Sequence, residues 1–273
     1  MNKRLIWGLM SAVMFISAGV LIFYFFWANG FIDPPKTSPT TAYSEFTYPS
    51  LPSVIELTPT PVDASQDYID KKDKDREGSG YVSPVNFDEL QATNSDIIGW
   101  MYMTTPYISQ PILRSGSDDG FYLAHNATKA YDRSGSLYVE GSYNGSTFDD
   151  MCTIIYGHRM SNGSMFGNLQ STLEDVDLSA EPQYIVIYVP GGYRIYQICA
   201  TIPKDSKHIL HYNNFNNEST YNSFINSVYN ASGSEVQYAS CERPHYGDKL
   251  LILSTCLRRD RTQRFLVIAK ELT

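Results

Sequence analysis

Residues 249–270 read KLLILSTCLRRDRTQRFLVIAK and contain the two clearest strand signals in the chain. Two runs of apolar and β-branched residues, 249–255 and 265–270, are separated by a short basic segment. Runs of this length and composition are typical of buried strands. We therefore predict two strands here, with Cys256 at the end of the first.

Further strand signals lie upstream of this segment. The last two of them flank Pro190-Gly191-Gly192, which predicts a hairpin because glycine supplies the positive φ that tight turns need. Seven or more short strands favour a mostly β domain, built either as a barrel or as a sandwich. The upstream runs are residues 107–113, 136–140, 152–156, 184–189 and 193–202.

Two segments carry helical patterns. An apolar stripe at i, i+3, i+4, i+7 and i+8 over residues 221–229 predicts one surface helix. Near the start of the domain, Phe87, Leu90 and the pair Ile97-Ile98 suggest a second short helix, followed by a turn at Gly99.

Composition limits the class of protein. Of the 273 residues, 42% are hydrophobic and 18% are charged, which excludes a wholly disordered chain. The net charge is −8, so no global positive field would attract a phosphate backbone, and nucleic acid is not an expected partner. Residues 85–273 hold 14 Lys or Arg and 20 Asp or Glu, a net charge of −6. We interpret this region as one domain.

The N-terminus predicts a membrane anchor. Residues 5–27 are 23 residues without a charge, preceded by Lys3 and Arg4. As a helix they would span about 34 Å, enough to cross a hydrocarbon core of roughly 30 Å. The alternative is a cleaved signal peptide, whose apolar part is only about 7–15 residues long. Positive charge on the short side predicts a cytoplasmic tail at residues 1–4 and an extracellular remainder.

A proline-rich segment follows the predicted anchor. Eight of the 14 prolines lie between residues 33 and 84, mixed with Ser and Thr. Because proline fixes φ and lacks an amide donor, we predict an extended extracellular stalk over residues 28–84 rather than a packed element.

Four cysteines are present, and in an exported chain they could form two disulfides by any of three connectivities. Cys152 and Cys199 lie inside apolar strand patterns, where a free cysteine usually behaves as a small hydrophobic residue. Cys256 differs because four arginines lie within eight positions of it, and positive charge raises the fraction of a thiol that is ionised. These are Arg258, Arg259, Arg261 and Arg264.

A catalytic thiol needs a partner that moves protons. His158 follows the strand pattern of residues 152–156, so it and Cys256 both stand at strand ends, 98 residues apart. Strand ends can hold reacting groups in fixed geometry. No second Cys or His stands at ligand spacing from either residue, so no metal site is predicted.

Two motifs together carry a family resemblance. The first is YGHRM at residues 156–160 with GSMFGNL at 163–169, and the second is LSTC at 253–256 with Arg264 eight positions after the cysteine. Together these motifs resemble those of the sortases, specifically class B.

The start of the domain extends this resemblance. DIIGW at residues 96–100, PIL at 111–113 and DDGFYL at 118–123 resemble the opening of the class B catalytic domain. The resemblance covers essentially all of residues 85–273. It implies an eight-stranded sortase β-barrel with N-terminal helices and one helix before the cysteine strand, preceded here by the transmembrane helix.

The resemblance also implies an activity. Class B sortases are extracellular cysteine transpeptidases of Gram-positive bacteria, held in the cell membrane by a single N-terminal span. The implied reaction cleaves the C-terminal sorting signal of surface proteins at a Thr–Gly or Thr–Asn type bond and forms an acyl-thioester. The acyl group passes to an amine of peptidoglycan or lipid II, and no cofactor is implied. Water as acceptor would make a cysteine protease, and an inert thiol would leave a non-catalytic surface binding domain.

Matching the motifs residue by residue assigns three catalytic roles. Cys256 is the implied nucleophile, His158 the acid and base, and Arg264 the donor to the oxyanion. Ser254 and Thr255 are expected to shape the strand end and the substrate groove. Two residues depart from the usual pattern and bear on peptide preference: Arg159 where asparagine is usual, and Leu257 after the nucleophile.

Overall fold

The computed structural model describes residues 83–272. The predicted tail (1–4), anchor (5–27) and nearly all of the stalk (28–84) lie outside these residues. Within 83–272, no helix combines the length and the apolar character that crossing a membrane requires.

The described residues form nine strands, four α-helices and one 3-10 turn. In chain order these are α1 (Phe87–Thr93), β1 (Ile97–Thr104), β2 (Tyr107–Arg114), the 3-10 turn (Phe121–Leu123), β3 (Leu137–Val139), β4 (Cys152–Tyr156), α2 (Leu169–Asp175), β5 (Tyr184–Val189), β6 (Gly192–Asp205), α3 (Ile209–Tyr212), α4 (Glu218–Tyr229), β7 (Gln237–Tyr238), β8 (Leu250–Cys256) and β9 (Gln263–Glu271).

Eight of the strands close into a barrel. Their order is β5-β1-β2-β3-β4-β8-β9-β6, and the pairing of β6 with β5 completes the ring. The two-residue strand β7 pairs with β6 outside this ring. Strands β2 and β3, and β4 and β8, run parallel, and the other neighbours are antiparallel. The structure thus confirms the predicted eight-stranded, mostly β barrel.

Strand β8 is buried on both faces, which explains its unbroken apolar run. Leu251 and Leu253 belong to the cluster that fills the barrel. Leu250 and Ile252 point outward and pack with residues of α4, including Phe224. A strand covered on both faces shows no alternation of apolar and polar residues.

The hairpin and the helix at residues 221–229 are confirmed. Val189 pairs with Gly192, and Gly191 has φ +80°, a conformation that glycine adopts without steric cost. Helix α4 spans Glu218–Tyr229 and buries Tyr221 against the outer side of the barrel.

The predicted helical position of Ile97-Ile98 is wrong. Helix α1 ends at Thr93, and Ile97 begins strand β1, where it pairs with Leu113. The cause is Asn94, whose side-chain oxygen accepts a hydrogen bond from the amide of Asp96 at 3.0 Å and turns the chain out of the helix.

Of the two cysteines predicted to be free and buried in strands, one is free and the other is not. Cys152 is a free, buried thiol, as predicted. The prediction of a free Cys199 is wrong, because it forms a disulfide with Cys241. The Ala239 amide donates to the Cys199 carbonyl at 2.9 Å, which brings the segment after β7 alongside β6 and the two sulfurs together.

Breaking this disulfide should destabilise the domain. The bond joins residues 42 positions apart, and closing such a loop restricts the unfolded chain. We expect Cys241→Ser to lower the free energy of unfolding by about 2–4 kcal/mol, measured by urea denaturation. Reductant should destabilise the native protein by a similar amount and leave the variant unchanged. A variant as stable as the native protein would contradict this expectation.

Candidate active site

The strand pairing places Arg264 directly opposite Cys256. The two residues are register partners across β8 and β9, and Arg264 Nη1 lies 3.9 Å from Cys256 Sγ. Cys256 is half-buried at the end of β8. Side chains alternate along a strand, so Cys256 points outward with Leu250 and Ile252 rather than into the barrel.

The structure separates Arg264 from the other three arginines. Arg264 is half-buried, and its Nη1 donates to the carbonyls of Arg261 and Gln263 at 3.3 and 3.4 Å. Arg258, by contrast, is exposed and pairs with Glu174 at 2.8 Å. Arg264 is therefore the guanidinium that backbone contacts hold against the sulfur.

His158 and Cys256 stand at the same edge of the barrel. Strands β4 and β8 are parallel neighbours, Tyr156 pairs with Ser254, and the Gly157 amide donates to the Ser254 carbonyl at 3.2 Å. His158 lies two residues after Tyr156, and Cys256 lies two residues after Ser254. Since neighbouring strands lie about 4.8 Å apart, the topology brings together two residues 98 positions apart in sequence.

A backbone carbonyl orients the His158 ring. His158 Nε2 lies 2.8 Å from the carbonyl oxygen of Leu123, in the 3-10 turn. A carbonyl can only accept, so Nε2 carries the hydrogen. In the neutral ring the basic nitrogen is then Nδ1, which can take a proton.

The glycines of the YGHRM and GSMFGNL motifs allow a tight loop around His158. A Cβ at Gly157 would lie 2.6 Å from a methyl of Leu137, and one at Gly167 would lie 2.3 Å from the Met160 carbonyl. The Phe166 amide also donates to the His158 carbonyl at 2.9 Å. These close approaches fix the backbone on which the imidazole is mounted.

Two tyrosines border this edge of the barrel. Tyr138 of β3 stacks on Tyr156 of β4, with ring centroids 5.5 Å apart. Burial raises the pKa of Tyr138 to about 12, although the positive charge of Arg264 acts against it. The charge of Arg264 therefore acts on the Tyr138 hydroxyl at this edge of the barrel.

A half-buried carboxylate lies next to the tyrosines. Glu140 Oε2 is 2.8 Å from His208 Nε2. Burial raises the pKa of Glu140, while the Tyr156 hydroxyl and the His208 ring partly offset that rise. No motif marks Tyr138 or Glu140 as a neighbour of the site, although Glu140 ends a predicted strand and lies on the same face as Tyr138.

Known proteins of one kind share this architecture. No family model matches the chain. It is 30% identical over 168 residues to sortase B of Listeria monocytogenes, covering 62% of this chain and 65% of that protein. It is 25% identical over 196 residues to sortase B of Staphylococcus aureus, covering 70% and 75%. A solved structure of sortase B from Listeria monocytogenes matches with a TM-score of 0.55 at 28% identity, over 68% of this chain and 99% of that one. The chain is similar to the class B sortases in both sequence and fold.

The sequence match spans slightly less than two thirds of the Listeria relative. The fold match covers nearly all of the Listeria structure. The resemblance found in the sequence motifs and the likeness of the whole fold therefore point to the same family.

Two further predicted site residues are buried. Ser254 is 4% exposed, and Thr255 is 3% exposed and pairs with Phe265 of the barrel interior. The Thr255 hydroxyl has no hydrogen-bond partner among the described residues. Their role in substrate binding stays a prediction, and the Thr255 side chain points into the barrel.

Proposed function

We propose that this protein acts as a class B sortase, a cysteine transpeptidase that cleaves the C-terminal sorting signal of surface proteins and joins them to an amine of peptidoglycan or lipid II. The observation that supports it best is the contact of 3.9 Å between Arg264 Nη1 and Cys256 Sγ, at the barrel edge where His158 also stands. A thiol, a cation and an imidazole at one strand edge are the groups that acyl transfer requires.

In the first half-reaction, the Cys256 thiolate attacks the carbonyl carbon of a Thr–Gly or Thr–Asn type bond. The carbonyl electrons move onto oxygen, and the Arg264 guanidinium stabilises the resulting oxyanion by charge and hydrogen bonding. The intermediate collapses, the C–N bond breaks, and His158 gives a proton to the departing amine. The product is a thioester between Cys256 and the surface protein.

In the second half-reaction, the amine of peptidoglycan or lipid II attacks the thioester carbon. His158, now neutral, takes the proton from the attacking nitrogen, and the Cys256 thiolate leaves. No cofactor takes part in this proposal. The Nε2–H form of the ring, held by Leu123, leaves Nδ1 for these proton transfers.

We place the catalytic domain outside the cell, tethered by the single span at residues 5–27. The support is the sequence alone: 23 uncharged residues preceded by Lys3 and Arg4. The proline-rich residues 28–84 would then give the domain reach toward nascent cell wall. The cytoplasmic membrane is accordingly a proposed partner.

A ligation assay tests the proposed function. The full chain is incubated with a panel of fluorogenic sorting peptides, with and without amine acceptors. Amine-dependent ligation is the expected result. Cleavage that gives the same hydrolysis product with and without an amine would instead identify a cysteine protease. The absence of both cleavage and ligation with every peptide would favour a non-catalytic binding domain.

Arg264→Ala should strongly reduce turnover. Removing one donor to a developing oxyanion typically costs about 3–4 kcal/mol of transition-state stabilisation, or about 10²–10³-fold in kcat. Arg264→Lys should recover part of the rate, because it keeps the charge but loses the planar fork.

Arg258→Ala is the matched control for this variant. Arg258 lies two residues after Cys256 in sequence, and its exposed guanidinium pairs with Glu174. Its removal should leave kcat unchanged. Equal rates for the Arg264→Ala and Arg258→Ala enzymes would show that the contact of 3.9 Å has no role in catalysis.

A further inference from the structure

The catalytic imidazole depends on a carbonyl whose own position must be fixed. Leu123, which accepts from His158 Nε2 at 2.8 Å, ends a 3-10 turn of three residues, and its side chain is exposed. The turn is too short to hold itself rigidly, because such a turn contains few internal hydrogen bonds. Contacts made by the neighbouring residue Tyr122 supply the missing constraint.

Tyr122 joins the turn to two other parts of the domain. Its backbone carbonyl accepts from the Ser136 amide at 2.9 Å, just before strand β3. Its side chain is 1% exposed and enters the junction between α1 and β1. The residue adjacent to Leu123 is therefore held at both its backbone and its side chain.

The Tyr122 hydroxyl is satisfied both as donor and as acceptor. It donates to Asp96 Oδ2 at 2.6 Å and accepts from Asn94 Nδ2 at 2.9 Å. Asn94 Nδ2 also donates to the Ala127 carbonyl at 2.9 Å, and Lys129 Nζ lies 3.0 Å from Asp96 Oδ2. These side chains and the hydroxyl form one polar network, which we call the Tyr122 network.

The charge on Asp96 strengthens this network. Burial alone would raise the pKa of Asp96, but the Tyr122 hydroxyl and the Lys129 ammonium hold it below its ordinary value. The carboxylate is therefore ionised at neutral pH. A hydroxyl that donates to a carboxylate makes a shorter and stronger bond than one between neutral groups.

We infer that Tyr122 is a positioning residue for His158, which it orients through the Leu123 carbonyl. The path consists of the Tyr122 network, the peptide bond between Tyr122 and Leu123, and the hydrogen bond from Leu123 to the imidazole. Tyr122 touches neither substrate nor sulfur in this account. The inference rests on the proposed function in one respect, the assignment of proton transfer to His158.

Tyr122→Phe tests the inference, because it removes the hydroxyl and keeps the ring. Two quantities are measured: the tautomer of neutral His158 from the ¹⁵N resonances of its ring, and kcat and KM with a sorting peptide. We expect the native protein to show the Nε2–H tautomer and the variant a mixture of the two. Loss of a group that orients a catalytic ligand costs roughly 10–100-fold at metal sites, so we expect kcat to fall about tenfold, with KM within about twofold.

Tyr221→Phe is the matched control. Tyr221 is also fully buried, and its hydroxyl donates to the Asp248 carbonyl at 3.0 Å on the helix-covered side of the barrel. The same atom is removed from a site that does not contact the 3-10 turn. This variant should lose stability but keep both the His158 tautomer and kcat.

Two results would overturn the inference. One is a Tyr122→Phe protein with the native tautomer and native kcat. The other is a Tyr221→Phe protein with the same losses, which would attribute them to general destabilisation. If the native protein turns over no peptide, the proposed function fails, and the ¹⁵N resonances alone still decide whether Tyr122 orients His158.

Discussion

Replacing Cys256 with alanine is expected to abolish transpeptidation and hydrolysis together. The thioester cannot form without the sulfur, and removal of a catalytic nucleophile typically costs on the order of 10⁴-fold or more. Stability should change little, because Cys256 is a half-buried residue at a strand end. Peptide turnover and urea denaturation of the same preparation measure the two effects separately.

Cys152→Ala is the control for this variant. Cys152 begins β4 and pairs with Leu250, so it lies at the barrel edge opposite Cys256. Burial raises the pKa of its thiol well above the ordinary value, which keeps it protonated and unreactive. This variant should keep full turnover and lose roughly 1 kcal/mol of stability from the missing buried atom. Turnover that survives in Cys256→Ala and disappears in Cys152→Ala would move the nucleophile to β4.

His158→Ala is expected to lower kcat by roughly 10³–10⁴-fold. Neither the departing amine nor the attacking amine would then have a proton partner in place. Added imidazole should restore part of the rate, because a small base can enter the space left by the ring. Rates across a series of imidazole concentrations measure this recovery.

His245→Ala provides the comparison for His158→Ala. His245 is exposed, and its amide donates to Asp248 Oδ2 at 2.8 Å, away from the Cys256 edge. We expect a native rate and no response to imidazole. A His158→Ala enzyme that is as active as His245→Ala would exclude His158 as the acid and base.

Much of the barrel could be predicted from local sequence patterns. Residues 250–253 of β8 and 265–269 of β9 are all apolar because barrel residues cover one face and helices the other, as at Leu251 and Leu250. Strand β1 was missed because Phe87, Leu90 and Ile97 continue a helical spacing. Only the turn made by Asn94, a single side-chain hydrogen bond, interrupts that spacing.

The sequence indicates candidate site residues more readily than it indicates the contacts that those residues make. Strand ends and motif spacing led to Cys256, Arg264 and His158. The bond from His158 to Leu123 joins residues 35 positions apart, and nothing in the local pattern of either one indicates the other. The partner of Cys199 was hidden for the same reason, since pairing depends on which loops lie side by side in the fold.

The most direct test is mass spectrometry of the full chain after brief exposure to a library of sorting peptides. The proposed mechanism requires a covalent acyl-enzyme on Cys256. We expect a mass gain equal to the N-terminal part of a cleaved peptide, mapped to the fragment that contains Cys256 and removed by an added amine. No adduct with any peptide, or an adduct on a different residue, would contradict it.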